Sequence, residues 1–138
     1  MRVVLDTNVL LSALISPLGA PHAIYRAWRA ARFELVTSVT QLDEIRRASR
    51  YPKFRAVLQP RRVGVMVNNL QRAIVLDHLS TDGIEADDPF DVFLLAMAAQ
   101  SGADFLVTGD RRAGLLRRGS LGRTRIVTPA AFCGYMIS

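Results

Sequence analysis

A chain of 138 residues, half of them hydrophobic and 22 % charged, has the size and composition of a folded domain with one sizeable core, which excludes a disordered polymer. No apolar run approaches the roughly 20 residues that cross a bilayer, and the single cysteine, Cys133, excludes an internal disulfide and disfavours a zinc site. The net charge of +6 comes from 18 basic residues, of which Lys53 is the only lysine; arginine's planar fork suits phosphate, so nucleic acid is the expected partner, with an arginine-rich solvated surface as the plainer account.

The first apolar run, residues 3–5, predicts a strand, and Asp6-Thr7-Asn8 interrupts it at once. A secretory signal core does not carry an aspartate, and no small-residue cleavage site follows. With no targeting segment and no apolar span, a cytoplasmic location away from membranes is the default expectation. Asp6 can also be read as the N-cap of a helix starting near Thr7. Residues 23–32, with a Trp and a Tyr on one face, predict a helix, and 34–37 a strand. Ser38 is of capping type and opens a helix over 40–50. A helix over 61–72 and a strand over 74–76 follow. Residues 92–101 are nearly all apolar and predict a buried helix, entered through Asp87-Asp88-Pro89-Phe90-Asp91. Strands over 104–108 and 125–127 complete the series. Strands alternating with helices require crossover connections. The fold class is therefore α/β: a three-layer α/β/α sandwich with a central, mostly parallel five-stranded sheet, forming one domain over 1–138.

In such a sheet the ligand site lies beyond the carboxyl ends of the strands, where strand order reverses. Asp6 follows the first strand directly, and Asp110 follows Val107-Thr108-Gly109. Asp88 and Asp91 stand where the buried helix begins, and Glu44 lies in the helix after the second strand. Each has a simpler explanation. Asp6 and Asp91 can be N-caps, Asp110 can cap a turn into Arg111-Arg112, and Glu44 can be an exposed charge beside Asp43. Capping does not explain why apolar strands so often end in acid. Clustered carboxylates repel unless a cation lies among them, and hard ions such as Mg²⁺ or Mn²⁺ are their natural partners. Such an ion can generate a hydroxide nucleophile and stabilise in-line displacement at phosphorus. An acidic pocket on a basic surface is what a nuclease needs.

Asp6-Thr7-Asn8, Ser38 with Glu44-Ile45, Asp88-Pro89-Phe90-Asp91 before an apolar helix, and Thr108-Gly109-Asp110 together resemble the four motifs of the PIN domain. Many bacterial members of that family are the toxin subunits of VapBC-type toxin–antitoxin modules. The resemblance runs nearly end to end, through Arg50-Tyr51-Pro52-Lys53-Phe54 to Thr128-Pro129-Ala130-Ala131-Phe132. It implies a metal-dependent endoribonuclease with Asp6, Glu44, Asp91 and Asp110 as its acidic quartet. Asp6, Asp91 and Asp110 would hold Mg²⁺ or Mn²⁺, with Asp88 at the edge of the metal site. Asn8 would orient Asp6 or substrate, Thr108 would hydrogen-bond within the cluster, and Arg111 and Arg112 would contact RNA. Strand one would lie beside the strand ending at Thr108. A cognate antitoxin protein and a homodimer are implied as partners, with residues 14–18 and the mid-chain helices as surfaces. Arg111-Arg112-Ala113-Gly114 departs from the family's compact continuation after Thr-Gly-Asp, which bears on the shape of the substrate rim. His22 and His78 have no place in the scheme.

Three alternatives compete. A non-catalytic RNA-binding domain on this fold gains nothing from four repelling carboxylates. A phosphoryl-transfer hydrolase of the haloacid dehalogenase type needs a second Asp two positions after Asp6, where Asn8 stands, and a lysine near the site. A receiver domain needs its phosphoacceptor on the third strand, where Asp77 is poorly placed.

Overall fold

A computed structural model describes residues 1–109 and 114–137. Among them the sheet has six strands: β1 (Arg2–Leu5), β2 (Glu34–Ser38), β3 (Ile74–Leu76), β4 (Phe105–Val107), β5 (Ser120–Leu121) and β6 (Thr124–Val127). Their order is β3-β2-β1-β4-β6-β5, parallel throughout except for the β5–β6 pair. The short runs rich in β-branched residues became strands because a parallel sheet covered on both faces buries most side chains of its central strands, leaving Arg2, Glu34 and Arg125 exposed. Alternation divides them between two cores. Val3, Leu5, Leu35, Phe105 and Val107 face one layer, and Val4, Val36, Leu106 and Ile126 face the other.

The first layer contains α1 (Thr7–Ala13), α2 (Ala20–Arg29), α3 (Val39–Ala48), α4 (Pro52–Arg55), α5 (Pro60–Leu70) and α8 (Pro129–Ile137). The second is built on α6 (Pro89–Ser101) with the one-turn α7 (Leu115–Arg118). Leu95, Met97 and Ala98 of α6 are fully buried against the sheet. Gly102 ends that helix at φ 65°, a left-handed conformation that costs glycine least.

Several details depart from the sequence-based expectation. The sheet has a sixth strand because Gly122, at φ 57°, turns a two-residue antiparallel β5 back onto β6. Helix α2 starts at Ala20, with Pro21 in its first turn where the missing N–H costs nothing. It ends at Arg29 because the chain turns through Ala31 at φ 59°. The segment after Pro129 is helical, and its Phe132 is completely buried between Phe33 and Phe105.

Strand β1 has β2 on one side and β4 on the other. The chain winds outward through β2 and β3, then returns across the sheet to β4. The order therefore reverses between β1 and β4, and their carboxyl ends, at Leu5 and Val107, open onto the crevice where such sheets bind ligands.

Candidate active site

Asp6 stands at that reversal. Its N–H donates to the Val107 carbonyl at 2.9 Å, which ties the end of β1 to the end of β4. One carboxylate oxygen accepts from the Asn8 N–H at 3.2 Å, so Asp6 does cap α1. The other accepts from the Thr108 hydroxyl at 2.7 Å. The cap role and the second role are compatible because they use different oxygens. Thr108 is itself buried, and its N–H donates to the Val127 carbonyl.

Glu44 is set by the start of α3. Ser38 caps the helix by accepting from the Gln41 N–H at 3.0 Å. The buried Gln41 side chain then donates to the Leu5 carbonyl at 2.6 Å and accepts from the Thr37 hydroxyl at 2.7 Å. This clamp locks α3 to the last residue of β1, and Glu44 follows Gln41 at the three-residue spacing that shares a helix face. Glu44 is only 7 % exposed, so it is not the solvated charge that an amphipathic reading allows; Asp43 is, paired with Arg46 at the surface. Arg47 donates to the Glu44 carboxylate at 2.7 Å.

At the mouth of α6 the two aspartates divide their tasks. Asp88 is the N-cap, accepting from the Phe90 N–H at 2.9 Å, so the simpler account of Asp91 as a cap does not hold. Asp91 lies in the first turn and is 4 % exposed. The helix dipole there favours a negative charge that burial disfavours.

Asp6, Asn8, Glu44, Asp88 and Asp91 line one cavity of about 190 Å³. Asp110, Arg111 and Arg112 lie outside the described residues. Among the described residues no three acid, histidine or cysteine side chains converge closely enough to hold a metal between them. The donor set is nevertheless all hard carboxylate oxygen. Mg²⁺ is commonly held by only one or two carboxylates with water completing the shell, so the residues present suit Mg²⁺ or Mn²⁺. Neither histidine lines the cavity; His22 faces the Ala13 carbonyl at 3.1 Å.

Residues that sequence reasoning passed over stand here too. Gln41 had a signal, since Ser38-Val39-Thr40-Gln41 has capping-box spacing, though its side chain reaches the strand instead of the helix start. Tyr51, Lys53 and Phe90 share the cavity wall. A larger depression of about 800 Å³ lies against α5 and is lined by Arg46, Arg50 and Arg55. It has no acid in its lining and so lacks the chemistry of the smaller one, although α3 and the α4 segment contribute to both.

The chain matches the family model of the PIN domain over residues 2–112. No curated protein sequence matches it. Its fold is similar to a chain of VapBC2 from Rickettsia felis, solved bound to a DNA fragment from its promoter. The TM-score is 0.60 and the identity 15 %, over 93 % of this chain and 98 % of that one. It is also similar to Mycobacterium tuberculosis VapC20, a sarcin–ricin loop cleaving toxin. There the TM-score is 0.52 and the identity 17 %, over 89 % of this chain and 98 % of that one. With the family model spanning four of its strands and the crevice between β1 and β4, the chain belongs to the PIN-domain family.

Proposed function

We propose that this PIN-domain protein is a metal-dependent endoribonuclease and the toxin of a toxin–antitoxin module. The observation that carries the proposal is that Asp6, Glu44, Asp88 and Asp91 all line one cavity at the strand-order reversal of a chain with net charge +6. The fold it shares with a VapBC2 chain and with a sarcin–ricin loop cleaving toxin supports the same assignment.

Asp6, Asp91 and Asp110 are the residues that would hold Mg²⁺ or Mn²⁺, with Glu44 completing the acidic quartet and Asp88 at its edge. When bound, such an ion supplies a hydroxide at neutral pH and offsets charge on the phosphodiester in an in-line displacement. The chain's own groups do the positioning. Thr108 and the Asn8 N–H fix the two oxygens of Asp6. The Gln41 clamp holds Glu44 at its distance from β1. Arg111 and Arg112 would contact the RNA backbone, and Arg46, Arg50 and Arg55 in the larger depression offer further cations to it. An antitoxin would silence the enzyme by placing a basic side chain among the acids. Self-association would use the apolar face near Ile15 and Leu18, the latter 94 % exposed.

The Arg47–Glu44 pair favours the alternative of a non-catalytic RNA-binding protein, because it already offsets one of the acidic charges. One experiment separates the two. The purified chain is incubated with labelled RNA in Mn²⁺ and, separately, in excess chelator. The nuclease cleaves only in Mn²⁺, and Asp91→Asn abolishes the cleavage. RNA bound but left intact in both conditions would favour the binding protein.

A further inference from the structure

Two aromatic rings stand in solvent at the wall of the carboxylate cavity. Tyr51 is 41 % exposed and Phe90 is 51 % exposed, and both line the cavity together with Lys53, the only lysine of the chain. Their backbones are fixed while their rings are not covered. Tyr51 precedes Pro52 and takes the extended conformation such a position demands, φ −63° and ψ 144°. Its N–H donates to the Ala48 carbonyl, and its own carbonyl accepts from Phe54 and Arg55. Phe90 follows Pro89 in the first turn of α6, pinned by the hydrogen bond from its N–H to Asp88. Its ring and that of Phe93 meet edge to face, at 6.4 Å and 82°. A single exposed aromatic residue is ordinary on any surface. Two, on separate elements of one acidic cavity and with a lysine on the same wall, form a pattern that core packing does not explain.

We propose that Tyr51 and Phe90 are stacking platforms for the unpaired bases that flank the phosphodiester held at the carboxylates. The inference rests on the nuclease assignment of that cavity. Ring faces suit bases because every base has a π-face, and stacking of this kind does not require a particular sequence. In an A-form duplex the bases are already stacked on each other and cannot reach a side-chain ring. A space of about 190 Å³ admits a sugar–phosphate unit, whereas a helix does not fit it. Lys53, whose ammonium lies 4.8 Å from the Phe54 ring centroid, supplies a cation for the neighbouring backbone phosphate. Tyr51 and Phe90 are thus specificity and positioning residues.

The test measures binding by the full-length Asp91→Asn protein in chelator, so that cleavage does not interfere. The probes are a fluorescently labelled single-stranded ribo-oligonucleotide of mixed sequence and a duplex of the same length. Tyr51→Ala and Phe90→Ala are each expected to weaken single-strand binding by about 5- to 150-fold, the equivalent of one lost base stack, while leaving duplex binding unchanged. Tyr51→Phe and Phe90→Trp should retain the affinity, because they keep the ring face. Thermal melts confirm folding, which truncation of half-exposed side chains should not disturb. In the active background, the alanine variants should raise KM for single strands far more than they lower kcat. Single-strand affinity within twofold of the parent in both alanine variants would overturn the inference. An equal loss on duplex would overturn it too. If the parent still cleaves RNA in Mn²⁺ in either case, the nuclease assignment survives and only the stacking role is lost. Loss of binding to a copurifying partner protein, with RNA affinity intact, would also overturn it and assign the rings to that partner.

Discussion

Both ends of the parallel sheet carry acidic residues, and the two ends use them differently. At the amino ends, Glu34 opens β2 and pairs with Arg2 of β1 at 3.5 Å. Asp104, just before β4, accepts from the Arg2 N–H at 2.8 Å and from Arg123 at 2.6 Å. The Arg2 N–H holds the Asp104 carboxyl below its ordinary value of 3.8, against the opposing effect of burial and with help from Arg123. These acids lie near the surface and stitch strand beginnings together. At the carboxyl ends, Asp91 and Glu44 are buried and Asp6 is held by a backbone N–H and a threonine hydroxyl, all facing one cavity. Burying carboxylates is expensive, and fold stability alone gives no reason for placing several of them together. Strand direction, more than residue type, separates an acid that holds the sheet from one available for chemistry.

The comparison breaks most visibly if neutralising either end has the same effect on activity. Asp6→Asn or Asp91→Asn should lower the initial rate of Mn²⁺-dependent RNA cleavage by more than the 10–100-fold typical of losing an outer partner of a metal ligand. Asp104→Asn should leave that rate unchanged. Thr108→Val comes next. It removes the hydroxyl from Asp6, and a loss within about 10–100-fold in kcat with unchanged RNA affinity would place Thr108 as a positioning residue.

Smaller effects sharpen the contrast for the basic residues. RNA affinity should fall steeply as salt rises, because each neutralised phosphate releases counterions. Replacing Arg50, Arg55, Arg111 or Arg112 with alanine should each reduce the log–log slope by about one, whereas Arg123→Ala, at the opposite end, should leave it alone. A titration of anisotropy from 50 to about 200 mM salt reads these slopes directly.

The smallest effect concerns stability. Because folding depresses the Asp104 pKa, its contribution is present above 3.8 and disappears as pH falls through the still lower folded value. Asp104→Asn should therefore cost up to about 1 kcal/mol near neutrality, the range for exposed pairs, and nothing at a pH low enough to protonate the parent carboxyl. Melts of parent and variant that converge on acidification would bear this out, and a constant gap would not.

Much of this was legible in the sequence for identifiable reasons. Parallel strands buried on both faces read as short apolar runs, and a helix as uniformly apolar as α6 has only one place to go. Asp6, Asp88 and Asp91 stood out as candidates because a carboxylate directly after a strand, or at a helix mouth, is conspicuous once strand direction is known, and Glu44 stood out inside the helix after the second strand; the structure puts all four in the lining of one cavity. What stayed hidden depended on tertiary reach. Gln41 acts across 36 positions on the Leu5 carbonyl, and no local pattern points there. Which of Asp88 and Asp91 caps α6 turns on one hydrogen bond to Phe90. The two-residue β5 is too short to show a period, and α8 is apolar on every side, so neither strand nor helix periodicity marks it. The exposure of Tyr51 and Phe90, and the gathering of Arg46, Arg50 and Arg55 into one depression, arise only when α3, α4, α5 and α6 have packed.

If the carboxyl-end acids form a metal site and the amino-end acids do not, Mn²⁺ will stabilise only proteins whose carboxyl-end acids are intact, and thermal melting reads this without any RNA substrate. Parent, Asp6→Asn and Asp104→Asn proteins are melted in chelator and in Mn²⁺. An ion that binds the native state raises its melting temperature, and one without a site cannot. A clear Mn²⁺-dependent rise is expected for the parent and for Asp104→Asn, and almost none for Asp6→Asn. In chelator, Asp6→Asn should melt no lower than the parent, since asparagine still caps α1 and relieves like-charge repulsion among the acids. An equal rise in all three proteins, or none in the parent, would contradict the account.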